Sequence, residues 1–247
     1  MRLSLPFPNG LGHGVVCRGL SLALLAAGLG TPAWAAAQEA PQITSQAGQR
    51  ASADFKGELA SSDVRAIAEW AIGAGDNRGL PVLIIDKPGA KVFVFDAAGK
   101  LLGAAPALLG LARGDTSVPG IGHRRLATIA PEERTTPAGR FQAALGHDFE
   151  QDILWIDYDS ALSLHRVIDG NPKDRRRQRL ASDTPHDNRV SYGCINVPAA
   201  FYDDVVDRAF KGTVGIVYIL PDATALEEVF PLAANARLEP AGDGTGS

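Results

Sequence analysis

The chain has 247 residues, of which 45% are hydrophobic and 21% are charged, a balance that is ordinary for a globular protein with one substantial core. Its formal net charge of −4 argues against a nucleic-acid partner, because proteins that bind phosphate backbones are usually basic.

The N-terminal segment is typical of a secretory signal peptide. Arg2 and Arg18 are followed by an apolar run over 19–30 and then by small residues up to Ala37. The apolar run is too short for a membrane-spanning helix. We therefore expect residues 1–37 to be removed during export across the inner membrane, which leaves no stable membrane anchor. An anchor that is never cleaved is the alternative.

The next segment, 38–78, is predicted to be a linker that ends in a short helix. Residues 38–60 are polar and rich in Ala, Ser and Gln, as loosely held leaders are. In SSDVRAIAEWAIGAG, which starts at Ser61, apolar residues recur at helical spacing, a serine can cap the start and a glycine can end the helix. We expect this helix to pack against the domain that follows.

Short apolar runs alternate with turns from residue 80 onward, a pattern that predicts a mainly β domain over 79–222, built as a β-sandwich or meander. The runs are LPVLIID (80–86), KVFVFD (91–96), LLGAAPALLG (101–110), GRFQAAL (139–145), DILWIDY (152–158), ALSLHRVID (161–169) and GTVGIVYIL (212–220). One clear helix is predicted from Pro198 to Gly212, directly after the only cysteine of this domain. Residues 223–247 form an Ala- and Gly-rich tail.

Cys194 is the only cysteine after residue 37, so an internal disulfide of the exported protein is excluded by counting. It is a buried small hydrophobe, half of an intermolecular disulfide, or a nucleophile. A cysteine acts as a nucleophile when the pKa of its thiol is lowered, usually by an imidazole or a helix N-terminus. The helix predicted from Pro198 would point its N-terminus back toward Cys194, and the amides of Gly193 and Cys194 would receive an oxyanion.

Four histidines remain after the predicted signal peptide, and His165 is the best partner for the thiol. The other three lie in segments that read as loops: His123, His147 and His186. His165 lies inside a predicted strand, where Leu162, Leu164 and Arg166 share one face and His165 shares the other with Ser163. A strand holds a side chain more rigidly than a loop does, as proton transfer over about 3 Å requires. A purely structural strand histidine is the alternative.

The segment SYGCIN resembles the signature of the YkuD-type L,D-transpeptidases, in which a histidine and a spacer precede Ser/Thr-His-Gly-Cys-hydrophobic-Asn/Arg. The matching residues are His165, Ser191, Gly193, Cys194, Ile195 and Asn196. RTTPAGRF (134–141) is similar to the Thr-Pro-x-Gly-x-Phe stretch of this family, and 91–110 resembles its opening strands. The resemblance covers residues 80–222.

The resemblance implies a cell-wall enzyme that acts on peptidoglycan stem peptides in the periplasm. Cys194 would attack a donor tetrapeptide, release its terminal D-amino acid and form a thioester that an amine resolves. His165 would be the general base, oriented by a neighbouring backbone carbonyl, and the reaction needs neither a cofactor nor a metal. Carbapenem β-lactams, which resemble the acyl donor, would acylate Cys194. The implied substrate-binding residues are Ser191, Tyr192, Gly193 and Asn196.

Two features depart from the family pattern. Tyr192 replaces the second histidine of the motif, so the thiolate lacks one nearby cation, and we expect Arg189 to supply it. The spacer between His165 and Cys194 is also longer than in the family. The additional residues, 170–188, contain four arginines and a lysine that form either a solvated loop or a lid that presents cations to carboxylates.

Three functions remain open at this point. The first is an L,D-transpeptidase. The second is a wall hydrolase (carboxypeptidase, endopeptidase or amidase) in which water resolves the same thioester, an outcome that the Tyr192 replacement favours. The third is a peptidoglycan-binding module without catalysis, against which the presence of both Cys194 and His165 argues.

Overall fold

The computed structural model describes residues 51–148 and 151–233, which belong to the second of the two units into which the chain divides, 47–247. The predicted signal peptide, most of the predicted linker and the end of the predicted tail lie outside the described residues. The domain boundaries at 37, 78 and 222 therefore stay predictions.

Ten strands and a few short helices make up the described part. The strands are β1 (Val82–Asp86), β2 (Lys91–Phe95), β3 (Leu101–Pro106), β4 (Leu109–Gly110), β5 (Gly139–Asp148), β6 (Gln151–Asp157), β7 (Leu162–Arg166), β8 (Arg189–Ser191), β9 (Ile195–Val197) and β10 (Val214–Ile219). The helices are α1 (Ser62–Gly73), α2 (Arg176–Leu180), α3 (Ala199–Phe201), α4 (Asp207–Phe210) and α5 (Leu226–Val229), with a π-helical turn over Tyr202–Val206. Single 3-10 turns lie at Ile121–His123, Leu126–Thr128, Pro131–Glu133, Pro172–Asp174 and Pro185–Asp187.

Eight of these strands form one mixed sheet in the order β3-β2-β1-β10-β5-β6-β7-β9. The β1–β10 and β7–β9 pairs are parallel, and the other neighbours are antiparallel. Strands β4 and β8 form a separate parallel pair.

The central strands are buried on both faces, which explains their unbroken apolar runs. One face, with Leu83 and Val217, packs against the helical segment that contains Tyr202 and Phe210. The opposite face packs against α1 and the segment that contains α5. Ser61 caps α1 by accepting a hydrogen bond from the backbone N–H of Val64, as the sequence predicts.

The mainly β class, the N-terminal helix and the helix after the cysteine are confirmed. Two details differ from the sequence predictions. Strand β5 runs on to Asp148, so His147 lies in a strand, and the run 101–110 is divided into β3 and β4, which belong to different sheets. Within the described residues, no helix is long and apolar enough to cross a lipid bilayer.

Candidate active site

Cys194 lies half-buried in a groove of about 520 Å³. The groove lies at the β6–β7–β9 end of the large sheet, and residues of the loop between β4 and β5 line its other side. Its walls are largely apolar side chains, namely Ile121, Leu126, Ile129, Ile153, Trp155, Leu162 and Ile168. Its polar lining includes Ser163, His165, Arg176, Tyr192 and Asn196.

Parallel pairing of β7 with β9 brings the predicted catalytic pair together. His165 is the register partner of Asn196, so the cysteine two residues earlier lies beside Ser163, on the same face of β7 as His165. The Ser163 hydroxyl donates to Cys194 Sγ at 3.5 Å, and the thiol can donate to the Ala161 carbonyl at 3.4 Å. The Cys194 sulfur is near enough to His165 for this side chain to lower the pKa of the thiol.

These neighbours determine the acidity of the thiol. Burial alone raises the pKa of Cys194, but the hydrogen bond and charge of His165 lower it, as do the side chain and backbone N–H of Ser163. The net result is a pKa below the usual range for cysteine. A lowered thiol pKa in an accessible groove is the condition for nucleophilic chemistry. The alternation of β7 in the sequence had already placed Ser163 on this face, although its contact with the sulfur was not predicted.

The His165 ring is held at both nitrogens. Its Nδ1 lies 2.7 Å from the backbone carbonyl of Arg166, which is the orienting carbonyl that the family resemblance implies. Its Nε2 lies 3.3 Å from Nδ2 of Asn196. The ring therefore presents Nε2, rather than Nδ1, to the inside of the groove.

The turn that carries the thiol depends on glycine at position 193. Gly193 has a φ of +137°, and a Cβ atom there would lie 2.8 Å from the carbonyl oxygen of Thr135. The Ser191 hydroxyl fastens the turn by donating to the Cys194 carbonyl at 2.6 Å and accepting from the Gly193 N–H at 3.1 Å. Because this amide is already used, Gly193 does not offer the free oxyanion donor that the sequence suggested.

Thr136, from the Thr-Pro-x-Gly-x-Phe stretch, stabilises the same turn through buried hydrogen bonds. It is fully buried, and its hydroxyl donates to the Gly193 carbonyl at 2.7 Å while accepting from the Gly110 N–H at 2.9 Å. The Thr136 carbonyl in turn accepts from Lys87 Nζ at 2.8 Å. Thr136 thus positions the loop that carries Cys194 and does not itself line the groove.

Among the five residues predicted to bind substrate, Tyr192 is half-buried on the groove and is the best placed to meet a ligand. The Arg134 guanidinium lies 4.0 Å from the centre of the Tyr192 ring, so a cation packs against the tyrosine that replaces the motif histidine. Ser191, Gly193 and Asn196 are buried at the floor of the groove and engaged in hydrogen bonds that hold the site together.

Arg189 does not reach the groove, contrary to the sequence prediction. Its buried guanidinium makes an ion pair with Asp222 at 2.5 Å and donates to the Lys87 carbonyl at 3.0 Å. Asp222 draws the side chain into a buried cluster that also contains Asp115 and Lys87, where each cation has a carboxylate partner. Arg189 therefore stabilises the fold around β8 instead of the thiolate.

The helix after the cysteine begins too far along the chain to act on the sulfur. Strand β9 separates Cys194 from Pro198, and four extended residues span roughly 13 Å. A helix terminus acts mainly within its first turn, so its contribution at this distance is small. The lowered pKa of Cys194 thus comes from β7 rather than from this helix.

The insert 170–188 contributes one residue that the sequence did not single out. Arg176 lines the groove and donates from Nη1 to the Asn196 Oδ1 atom at 3.1 Å. Arg177, its neighbour, faces solvent and pairs with Asp169. Composition alone could not separate these arginines, because their roles depend on how the insert folds. Within the described residues, no group of three or more His, Cys, Asp or Glu side chains is arranged to hold a metal ion.

No family model matches the chain, and no curated protein matches it. Among solved structures it is similar to Pgp2 from Campylobacter jejuni, described as a helical cell shape determining protein, with a TM-score of 0.40 and 12% identity. That alignment covers 59% of this chain and 49% of Pgp2, so the chain spans about half of that structure.

Two further solved structures are L,D-transpeptidases. LdtMt1, in complex with imipenem, has a TM-score of 0.33 and 14% identity, with 57% of this chain and 58% of that chain covered. The enzyme from Xylanimonas cellulosilytica has a TM-score of 0.32 and 16% identity, with 57% and 60% covered. Similarities this weak carry no argument about activity, which has to be argued from the site itself.

Proposed function

We propose that this protein is an exported cysteine acyltransferase of the bacterial cell wall, an L,D-transpeptidase that acts on peptidoglycan stem peptides. One observation supports this most: a partly buried Cys194 thiol, whose pKa is lowered by His165, lines an open groove. The motif residues around both side chains resemble those of the YkuD-type family. The predicted signal peptide would deliver the enzyme to the periplasm, where stem peptides are found.

The first half-reaction forms a thioester. Sγ of Cys194 attacks the carbonyl carbon of the donor peptide bond, and the thiol proton passes to Nε2 of His165. When the tetrahedral intermediate collapses, the carbon–nitrogen bond breaks and His165 returns the proton to the departing amine. The terminal D-amino acid leaves, and the acyl group remains on sulfur.

The second half-reaction consumes the thioester. An acceptor amine attacks the acyl carbon, loses a proton to His165 and forms a new amide, while the thiol is regenerated. Because the energy of the old amide is preserved in the thioester, the exchange needs no nucleotide and no metal. The apolar groove walls fit the short alanine side chains of a stem peptide and exclude part of the water that would hydrolyse the intermediate.

Incubation of the purified protein with tetrapeptide muropeptides tests the proposal. A transpeptidase gives cross-linked dimers and free D-alanine, and Cys194→Ser abolishes both while retaining the fold. Shortened monomers would instead identify a wall hydrolase, which the Tyr192–Arg134 pair at the motif position favours as the second candidate. Unchanged muropeptides with measurable binding would contradict both enzymatic functions and indicate a binding module.

A further inference from the structure

Two arginines line the groove, and they differ in how their hydrogen-bond donors are used. Arg124 donates from Nη1 and Nη2 to the two carboxylate oxygens of Glu133, at 2.7 and 3.1 Å, and its Nη2 also donates to the Thr128 carbonyl. A carboxylate of the protein thus already occupies this guanidinium in the two-point geometry that a bound carboxylate would need. Arg124 is therefore a structural cation, and attention falls on Arg176.

Arg176 uses only part of its guanidinium to hold itself in place. Its Nε donates to Asp174 at 3.2 Å and its Nη1 to Asn196 Oδ1 at 3.1 Å, while Nη2 makes no hydrogen bond to another residue that the structure describes. The side chain is 14% exposed, and a Cβ atom added at Gly170 would lie 3.6 Å from its guanidinium carbon. The cation is thus fixed and partly dehydrated before a ligand arrives, which lowers the entropic cost of binding.

The guanidinium is close to the atoms that react. Asn196 connects the two, because its Oδ1 accepts from Arg176 and its Nδ2 lies 3.3 Å from His165 Nε2. Two hydrogen bonds and the width of one amide place the guanidinium within about 9 Å of Nε2. An extended peptide advances about 3.3 Å per residue, so a ligand group at Nη2 belongs to a residue at most about two positions from the bond that breaks.

The chemistry of this site favours a carboxylate. A guanidinium has only donors and stays charged, and its planar fork matches the two oxygens of a carboxylate. The apolar walls of the groove reduce the screening of such a pair by water. Asp148 also lines the groove and would repel an anion bound beside it, so the carboxylate is expected at Arg176.

We propose that Arg176 binds a carboxylate of the donor peptide and thereby makes the enzyme specific for anionic donors. The inference deepens the proposed function and rests on it for the identity of the donor. A stem tetrapeptide offers this group from two sources, the terminal carboxylate of the amino acid that leaves and the side-chain carboxylates of the part that stays on sulfur. Either source gives the same contact, and the experiment separates them.

The test is calorimetric titration of peptides into the Cys194→Ser protein, which cannot consume the donor through a thioester. The peptides are the stem tetrapeptide, its C-terminal amide and a tetrapeptide with amidated side-chain carboxylates. We expect Arg176→Met to weaken binding of the unmodified tetrapeptide by about 10- to 100-fold, as is typical for loss of a hydrogen bond to a charged group. Amidation of the carboxylate that Arg176 binds should cause a similar loss, after which Arg176→Met has little further effect.

The amidated peptides also test the contact in a protein that retains Arg176, so the result does not depend on how well the variant folds. Arg177→Met is the matched control, because it removes the same charge from an exposed neighbour that pairs with Asp169, and we expect it to leave all affinities unchanged. Arg176→Met also breaks the contact with Asn196, but a purely structural loss would weaken all three peptides equally.

Equal losses for all three peptides, an unchanged affinity in Arg176→Met, or no binding of the unmodified tetrapeptide would overturn the inference. The proposed function fails separately. Carboxylate-dependent binding through Arg176 without turnover of muropeptides by the wild type would overturn only that function. Turnover with binding that does not depend on Arg176 would overturn only this inference.

Discussion

Replacement of Thr136 by valine measures how much the Thr136 hydroxyl stabilises the turn that carries Cys194. Valine has nearly the shape of threonine, so the change removes the hydroxyl and little else. The hydroxyl donates to the Gly193 carbonyl and accepts from the Gly110 N–H, and both partners are in the buried interior. Each buried group left without a partner costs about 1–3 kcal/mol, so the free energy of unfolding should fall by roughly 2–6 kcal/mol.

The gain from the additional methyl group is smaller, about 0.8 kcal/mol, so the loss of hydrogen bonds should dominate. Urea denaturation measures the loss, and the alkylation rate of Cys194 in the native state should fall because the turn loses its support. Thr135→Val is the matched control, since that hydroxyl makes one exposed hydrogen bond to the Thr116 carbonyl. The reasoning is refuted if the two variants differ by less than about 0.5 kcal/mol.

Three further outcomes are expected. Gly193→Ala should lower the free energy of unfolding by roughly 1–3 kcal/mol and slow Cys194 alkylation, because its φ of +137° and the Thr135 carbonyl exclude a Cβ atom; wild-type values in both assays would contradict this. Burial favours a raised pKa for Asp115, but hydrogen bonds from Lys87 and from backbone amides hold its pKa well below the usual range. Its stabilising contribution is therefore complete above about pH 5 and is lost as the pH falls below that, so urea midpoints should drop more steeply between about pH 5 and pH 3 in the wild type than in Asp115→Asn; parallel slopes would argue against it. A carbapenem should add one molecule to the wild type and none to Cys194→Ser in intact-mass spectra, and an unmodified wild type would count against the acyl-enzyme.

Strand positions were predictable because apolar runs and turn residues leave a local signature. The same alternation placed His165 and Ser163 on one face of β7, which is where the thiol lies. The proximity of His165 to Cys194 followed from motif resemblance rather than from local pattern, because it depends on the parallel pairing of β7 with β9. Three residues of β9 are too few to show a periodicity of their own.

The roles of the arginines could not be derived in the same way. Arg189 is close to Cys194 in sequence, but its partner Asp222 lies 33 residues further along the chain and draws it to the other side of β8. Arg176 reaches Asn196 only because the insert folds back over the groove. Electrostatic partners that are distant in sequence leave no local signal. The composition of the insert therefore predicted that cations lie near the site, but it could not identify which arginine contacts the site.

The most direct test of the account is the rate at which iodoacetamide modifies Cys194 in the native protein at neutral pH, followed by peptide mapping. We expect rapid modification of the wild type and of His147→Gln, a strand histidine with no contact to the thiol among its described hydrogen bonds. His165→Gln should react at least about tenfold more slowly, because the thiol loses the group that lowers its pKa. Equal rates in the two histidine variants, or no reaction of the wild type before denaturation, would contradict the claim that His165 activates Cys194.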